Sequence, residues 1–324
     1  NVAAPATTTL SSLAVANNHF SIALHKRLSA ANDGANHFFS PYSISTALAM
    51  LYQGASGSTA SQLASALYFD KVQINQANLA NTTLAHERTI FASPQASNET
   101  YSLHSGNAFV MSKRYSMRDA YRKVLTESFR AKTFEIDFKS NANEAKNMIN
   151  QYVSNKTEGK IPNLLQAILP NNTVLALLNT IYFKGKWVKP FEHYNTRIGN
   201  FTERGGRLRN GVHYMQHTTY YNVASIGNNS ILIELPYKGN EVSMFAMLPK
   251  NVNSDLSELK QSLTPQMLQQ AISSVKAEYV ELSFPKFKLT TEYQLIETLK
   301  SMGVVDAFNA SRANFTQIVL DEPL

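Results

Sequence analysis

The side chains that most often carry enzyme chemistry do not form a complete motif in this chain. His86-Glu87 begins like the zinc-binding sequence H-E-x-x-H, but residue 90 is Ile, where the second His ligand is required. The sequence has neither a G-x-S-x-G nucleophile elbow nor a glycine-rich phosphate-binding loop. Cysteine is absent, which excludes disulfides, thiolate metal sites and Cys nucleophiles. The sequence therefore predicts a protein that is not an enzyme and that holds no metal and no cofactor.

Two other patterns have plain explanations. His213 and His217 fall in a predicted strand, where a four-residue offset places them on one face but about 13 Å apart, so we interpret them as ordinary histidines. The run Arg204-Gly-Gly-Arg-Leu-Arg209 has the composition of some nucleic-acid-binding segments, and we favour a glycine turn between two strands. The sequence thus predicts no nucleic-acid partner.

A row of basic side chains lies on and beside a helix predicted over residues 117–129. Two of its arginines are spaced i, i+4 and therefore share one face of that helix. A heparin-like polyanion would bind such a stripe through salt-sensitive Coulomb attraction, whereas a solvated helix face without a ligand is the alternative. The candidate residues are Arg118, Arg122, Lys123 and Arg130.

Composition and charge describe a secreted protein without a membrane span. The 324 residues carry a formal net charge of +7, which favours acidic partners, and no run of about 18 apolar residues occurs. The N-terminal residues lack the features of a signal peptide, so we expect that any such segment has been removed or never existed. We expect an extracellular glycoprotein that is a monomer. The Asn-x-Ser/Thr sequons that favour glycosylation are Asn81, Asn98, Asn155, Asn171, Asn200, Asn228, Asn309 and Asn314.

One long strand is predicted over residues 173–187, with apolar side chains on both faces. This pattern indicates a strand that is covered on both sides, and we expect it to be central in its sheet. Asn179 shares a face with Leu177 and Ile181, and a buried amide costs about 1–3 kcal/mol for each unsatisfied group. Either a packed, satisfied Asn or a polar hinge in a sheet that opens would explain this residue.

Helical periodicity dominates the first half of the chain and strand alternation the second. Amphipathic helices are predicted over residues 10–30, over residues 42–53 after the N-cap Ser40, and over Ala142–Lys156. Strands with a hairpin turn at Gly239-Asn240 are predicted beyond residue 212. No internal repeat or linker occurs, so the sequence predicts one α+β domain over residues 1–324.

Several specific motifs resemble those of the serpins, a family of strained protease inhibitors. The resemblance covers the chain from about residue 15 to the end. It rests on Asn179-Thr-Ile-Tyr-Phe-Lys-Gly-Lys-Trp187, Phe39-Ser-Pro-Tyr-Ser-Ile-Ser-Thr-Ala-Leu-Ala-Met50, Leu235-Pro-Tyr-Lys-Gly239 and Phe284-Pro-Lys-Phe-Lys288. The resemblance implies a large central mixed β-sheet, further sheets and about eight or nine helices.

The same resemblance implies residue roles and a mechanism. Ser40, Ser43 and Asn179 would form a shutter under the point where the large sheet parts, and Trp187 and Lys286 would lie at the breach where an inserting strand enters. The implied activity is the trapping of a serine protease, or less favourably a cysteine protease, by insertion of a cleaved reactive loop. A non-inhibitory carrier, chaperone or storage protein of the same fold is the alternative.

The last residues bear on that mechanism. The sequence ends at Asp321-Glu-Pro-Leu324, where serpins continue to the fifth strand of the large sheet, the reactive loop and the final strands. The reactive bond is therefore not in the sequence given, and we expect a chain that is truncated before the reactive loop.

Overall fold

The computed structural model describes residues 10–91, 100–251, 254 and 256–320. Within these ranges the chain forms nine α-helices and eight strands in two sheets, which confirms the predicted α+β class and the helix number. The helices are α1 Ser12–Ala31, α2 Pro41–Gly54, α3 Gly57–Ala66, α4 Gln76–Phe91, α5 Asp119–Glu127, α6 Ala142–Lys156, α7 Ser257–Ser262, α8 Pro265–Ser273 and α9 Ile296–Ser301. The strands are β1 Tyr101–Ser112, β2 Ala131–Ile136, β3 Leu175–Gly185, β4 Thr196–Thr202, β5 Leu208–Ile226, β6 Ser230–Pro236, β7 Ser243–Pro249 and β8 Lys276–Pro285.

Helix α2 begins as its sequence predicts. The Ser40 hydroxyl accepts a hydrogen bond from the Ser43 N–H at 3.2 Å, and Pro41 occupies the first helical position, where its missing N–H costs nothing. The helix is apolar on most sides and is buried beside α1. Within the described ranges, no helix combines the length and the apolar character needed to cross a bilayer.

The first sheet is three-stranded in the described residues, with the order β2-β1-β3. Strand β1 is parallel to β2 and antiparallel to β3, and this register places Asn107 directly opposite Asn179. One face of the sheet packs through Phe109 and Met111 into a large helical core. Each large apolar side chain buried there stabilises the fold by roughly 1.5–3 kcal/mol.

The other face of this sheet packs against α6. Val110 on β1 and Leu178 on β3 contact the buried stripe of that helix, which includes Ala145 and Ile149. Strand β3 therefore has apolar side chains on both faces because a helical layer covers each of them.

The expectation that β3 is a central strand stays a prediction, because the fifth strand that the family resemblance implies would follow Leu324 and is not in the sequence given. Within the described ranges, strand β3 pairs with β1 alone, so its second edge has no neighbouring strand there. The apolar pattern reports the layers above and below a strand. It carries no information about lateral neighbours, which is why the same pattern fits an edge position.

The second sheet is built around the 19-residue strand β5. Strand β5 pairs antiparallel with β4, β8 and β6 in turn, and β7 pairs with β6. The connection from β4 to β5 turns at Gly205 and Gly206, both with φ of +81°, which confirms a glycine turn in the run that begins at Arg204. The hairpin turn predicted at Gly239-Asn240 is also present, with positive φ at both residues.

The end of α2 offers a test of this packing. A Cβ atom at Gly54 would overlap the Ile318 side chain and lie 3.0 Å from a ring atom of Tyr121, and both side chains are buried. We expect Gly54→Ala to lower the free energy of unfolding by about 1–3 kcal/mol, because the core is already full. Urea unfolding measures this change.

Gly34→Ala is the matched control, since nothing lies within 4 Å of a Cβ atom there. Equal stability of the two variants would show that the contact between α2 and the segment around Ile318 is not tight.

Candidate functional site

Two asparagine side chains join β1 to β3 in the middle of the first sheet. The Asn179 amide Nδ2 donates to Asn107 Oδ1, and Asn107 Nδ2 donates to the Phe129 carbonyl at 2.7 Å. The Tyr152 hydroxyl of α6 donates to the Asn107 carbonyl at 2.6 Å. Asn107 is only 3% exposed, so these polar groups lie in a largely water-free layer where each bond is strong and each missing bond is costly.

Several buried polar atoms have no partner in the described residues, and two of them belong to the predicted shutter residues. These two are Asn179 Oδ1 and Ser43 Oγ. Leu175 and Leu177 share the face of Asn179 and pack against the core that contains much of α2, so Asn179 faces the side of the sheet on which Ser43 lies. An unsatisfied buried oxygen costs about 1–3 kcal/mol, which makes both atoms candidates for a change of partner.

The predicted shutter residues are thus only partly joined. Ser40 and Ser43 meet at the start of α2, where the Ser40 hydroxyl is used as a helix cap. Asn179 bonds to Asn107, a residue that sequence reasoning did not select. The sequence did contain a signal for Asn107, because this polar residue directly precedes the apolar residues of a predicted strand. The shutter role of Ser40, Ser43 and Asn179 stays a prediction.

The two predicted breach residues lie at the end of β3 and after β8. Trp187 stacks on the Tyr237 ring with centroids 4.3 Å apart, and a β-bridge joins the same two residues. Lys286 is exposed, and its backbone N–H donates to the His213 carbonyl at 2.8 Å, which extends the ladder between β5 and β8. Trp187 therefore links the end of β3 to the turn after β6. The breach role of both residues stays a prediction.

The predicted basic stripe differs from expectation in geometry. Arg118 Nε donates to the carbonyls of Thr316 at 2.9 Å and Val319 at 2.7 Å. Arg122 pairs with Glu135. Helical spacing places side chains on one face, but it cannot tell which other segments of the chain cover that face.

Two residues of the stripe remain exposed, and the carbonyl partners of Arg118 and the ion pair of Arg122 limit the charge that the other two can offer. Lys123 and Arg130 are exposed, whereas the guanidinium groups of Arg118 and Arg122 hold the fold together. A polyanion site on the four residues stays a prediction, with most of its free charge at the exposed pair.

The sequons differ in exposure. Asn309 and Asn314 are half-buried, and the side-chain oxygen of each accepts a hydrogen bond from the hydroxyl two residues later. Asn98 lies outside the described residues. The exposed sequons are Asn81, Asn155, Asn171, Asn200 and Asn228.

A buried carboxylate lies beside the same sheet. Glu87 on α4 is 3% exposed and accepts a hydrogen bond from the Tyr42 hydroxyl of α2. Burial raises the pKa of Glu87, and the Tyr42 bond and the charge of Arg130 oppose this rise only in part. Burial likewise raises the pKa of Tyr42.

Comparisons with known proteins agree with this architecture. The family model described as Serpin (serine protease inhibitor) matches residues 15–324. Plasminogen activator inhibitor 2 from Homo sapiens is 34% identical over 340 residues, which cover 94% of this chain and 81% of that protein. Iripin-8 from Ixodes ricinus is 36% identical over 299 residues, which cover 92% of this chain and 73% of that protein.

A solved structure is also similar. Ovalbumin from emu (Dromaius novaehollandiae) superimposes with a TM-score of 0.87 at 25% identity, over 94% of this chain and 81% of the ovalbumin chain. The chain therefore belongs to the serpin family. The family is named for the inhibition of serine proteases, which differs from the turnover of a substrate by an enzyme.

The amide pair provides a first test. We expect Asn179→Leu to lower the free energy of unfolding by about 1–3 kcal/mol, because Asn107 Oδ1 would lose its donor inside the protein. We also expect more self-association. Urea unfolding followed by the fluorescence of Trp187, the only tryptophan in the chain, measures the first effect, and size-exclusion chromatography measures the second.

Asn200→Leu is the control, because this substitution introduces the same apolar side chain at an exposed position on β4. A double-mutant cycle of Asn107→Ala and Asn179→Ala measures the coupling of the two amides directly. Additive effects in the cycle would show that the pair does not act as a unit.

The buried carboxylate provides a second test, which depends on pH. Because its folded-state pKa is raised above the ordinary 4.5, Glu87 contributes stability below pH 4.5 that is lost as pH rises through the folded-state pKa. Glu87→Gln does not titrate and still accepts the Tyr42 bond. We expect the variant to gain stability over the native protein as pH rises, and then to level off.

The measurement is urea unfolding from pH 4 to pH 8. Glu278→Gln is the control, because this residue is exposed on β8. Parallel stability curves for the native protein and Glu87→Gln would contradict the assignment of a raised pKa.

Proposed function

We propose that this protein is an inhibitory serpin, which traps a serine endopeptidase by inserting its reactive loop into the first sheet. The observation that carries this proposal is the match to the serpin family model over residues 15–324, together with the amide pair that joins β1 to β3 in the middle of the first sheet. Membership of the serpin family supports the general activity, and the relative from Homo sapiens is named as an inhibitor of a plasminogen activator.

The edge of β3 has the hydrogen-bonding groups that an added strand needs. Val174 accepts a bond from Ser112 and Lys186 donates to Thr100, so even-numbered residues of β3 face β1. Odd-numbered residues direct their N–H and C=O groups to the other edge, because the strand has a period of two. Within the described ranges no strand pairs with that edge, where these groups belong to Leu175, Leu177, Asn179, Ile181 and Phe183.

Insertion of a strand at this edge releases free energy. Each backbone hydrogen bond formed there contributes about 0.5–1.5 kcal/mol, and alternate side chains become buried between the helical layers. A loop that is cleaved while it is acylated to a protease draws the bound protease along as it inserts. The protease active site is then distorted, and its oxyanion-stabilising groups no longer support deacylation.

The alternative proposal is a non-inhibitory carrier, chaperone or storage protein with the same fold. The similarity to emu ovalbumin supports the fold and does not require inhibition. In that case the β3 edge would accept no strand from a cleaved loop. The two proposals therefore differ in whether cleavage stabilises the protein.

We further propose that the protein acts outside the cell, as a monomeric single-domain glycoprotein. The five exposed sequons support this location, because glycosylated Asn residues lie on surfaces of secreted proteins. A polyanion would bind at Lys123 and Arg130, and a cysteine protease is a second class of target.

Protease challenge tests the inhibitory proposal. A form of the protein that includes its reactive loop is incubated with trypsin-like, chymotrypsin-like and elastase-like enzymes and with a papain-like cysteine protease. We expect an SDS-resistant conjugate with at least one serine protease, because the acyl bond persists after insertion.

Thermal unfolding tests insertion itself. After cleavage in the reactive loop, we expect the melting temperature to rise by at least about 10 °C, since several new backbone bonds each contribute about 0.5–1.5 kcal/mol. Cleavage by every protease without a conjugate or a rise in melting temperature would support the non-inhibitory alternative.

A further inference from the structure

Part of a second strand edge, on β1, has no pairing strand within the described ranges. Strand β2 begins opposite Asn107, so the earlier residues of β1 extend beyond it. The Ser112 N–H bonds to β3 through Val174 and the Lys113 N–H bonds to Ile136, so even-numbered residues face β3 and odd-numbered residues face β2. It follows that Leu103 and Ser105 direct their N–H and C=O groups away from β3, where the described residues offer them no partner.

Three features of the described residues define this edge. The Asn107 carbonyl, next along the edge, already accepts the Tyr152 hydroxyl. Arg130 has a φ of +49°, which turns the chain sharply just before β2 begins. Strand β2 therefore does not extend alongside the earlier residues of β1. A cavity of about 390 Å³ lies along the edge, between the end of α4 and the end of α6. That volume is in the range of pockets that bind ligands, roughly 300–1,000 Å³.

The cavity lining contains two cations and two carboxylates. Each carboxylate has a hydrogen-bonding neighbour within the lining or beside it: Glu87 accepts the Tyr42 hydroxyl, and Glu158 Oε1 lies 3.2 Å from His104 Nε2. Lys156 and Arg130 form no ion pair within the described residues, although Arg130 acts on the Glu87 carboxylate through space.

The two cations lie on opposite sides of β1. A Cβ atom at Gly106 would lie 2.6 Å from Lys156 Cγ, so the Lys156 stem crosses the strand on the α6 side. Arg130 influences Glu87 and Tyr42, which belong to the α4 and α2 side. The cavity also contains the buried Ser105 Oγ, which has no hydrogen-bond partner.

We propose that this edge of β1 binds an extended acidic peptide segment of a partner protein. The peptide backbone pairs with the free groups of Leu103 and Ser105, as in recognition by strand addition. Because successive side chains of a strand point to opposite faces, two adjacent acidic residues reach Arg130 on one side and Lys156 on the other. The flanking apolar side chain on the same face as the acidic residue at Arg130 contacts Phe91 and Leu103. The net charge of +7 favours such a partner.

Binding of short peptides to the full chain tests this proposal. The probe is a fluorescein-labelled Val-Glu-Asp-Val peptide, and its control is Val-Lys-Lys-Val, both followed by fluorescence polarisation at low salt. We expect saturable binding of the acidic peptide only, weakening as salt is raised. Equal binding of the two peptides, or no binding at millimolar concentration, would overturn the proposal.

N-methylation of the peptide distinguishes strand pairing from simple anion binding. Methyl groups on alternate backbone nitrogens remove the donors from one edge of the peptide at a time. We expect one of the two methylated peptides to bind at least tenfold more weakly and the other to bind as before. Equal binding by both would mean that only the carboxylates are recognised, and strand addition would be wrong.

Variants of the protein locate the site. We expect Arg130→Gln and Lys156→Gln each to weaken binding at least fivefold, whereas the control Lys132→Gln, exposed on β2, leaves it unchanged. Ser105→Pro removes an edge N–H that β3 does not use, and we expect it to abolish binding. Near-ultraviolet circular dichroism checks that this variant is folded.

The competing occupants of the edge give other results. If Ser105→Pro converts a dimer of the native chain to a monomer in light scattering, and the peptide does not bind, the edge joins two copies of the chain. If the variants at Arg130 and Lys156 bind the peptide as the native protein does, the peptide lies elsewhere. Either result would overturn the proposal.

Discussion

The bond between the Asn179 and Asn107 side chains is the constraint on which the first sheet depends. It lies where β1 and β3 meet, and it is continued to the Phe129 carbonyl. The Tyr152 hydroxyl of α6 donates to the backbone carbonyl of Asn107. The buried Asn107 therefore joins two strands, a helix and a loop. A shift in the pairing of β1 and β3 would leave these buried amides without partners, which costs more than burying apolar groups. The amide bond therefore favours the observed register over registers shifted along the strands.

The ladder between β1 and β3 fixes which backbone groups of these two strands point away from each other. It uses the even-numbered backbone groups of both strands, so all odd-numbered groups point outward. Strand β2 covers only the part of the β1 edge from Asn107 onward, and no strand of the described residues pairs with the second edge of β3. An exposed strand edge is a template for pairing, and proteins usually protect it with charge. Lys156 and Arg130 lie beside the β1 edge, whereas apolar residues line the β3 edge.

Much of the fold and half of the candidate site were predictable from local patterns. The bounds of α6, the cap at Ser40 and the polar character of Asn179 follow from periodicity and side-chain chemistry, which depend only on near neighbours in the sequence. The partner of Asn179 and the acceptors of Arg118 lie 72 and about 200 positions away, so only the tertiary fold reveals them. For the same reason the lateral neighbours of β3 could not be deduced, since its apolar pattern reports only the layers that cover it.

The unpartnered oxygens of Asn179 and Ser43 connect the stability of this sheet to its proposed function. Two such atoms cost about 1–3 kcal/mol each, a large share of a net stability that is usually only about 5–15 kcal/mol. A strand that pairs with β3 brings its side chains within about 4.5–5.5 Å of the facing residues, which is close enough for a polar side chain to bond to Asn179. Strand addition would then relieve a polar deficit as well as pair backbone groups. Under the proposed mechanism, the sheet before insertion is therefore expected to lie above the sheet after insertion in free energy, and this difference is what a single-use inhibitor requires.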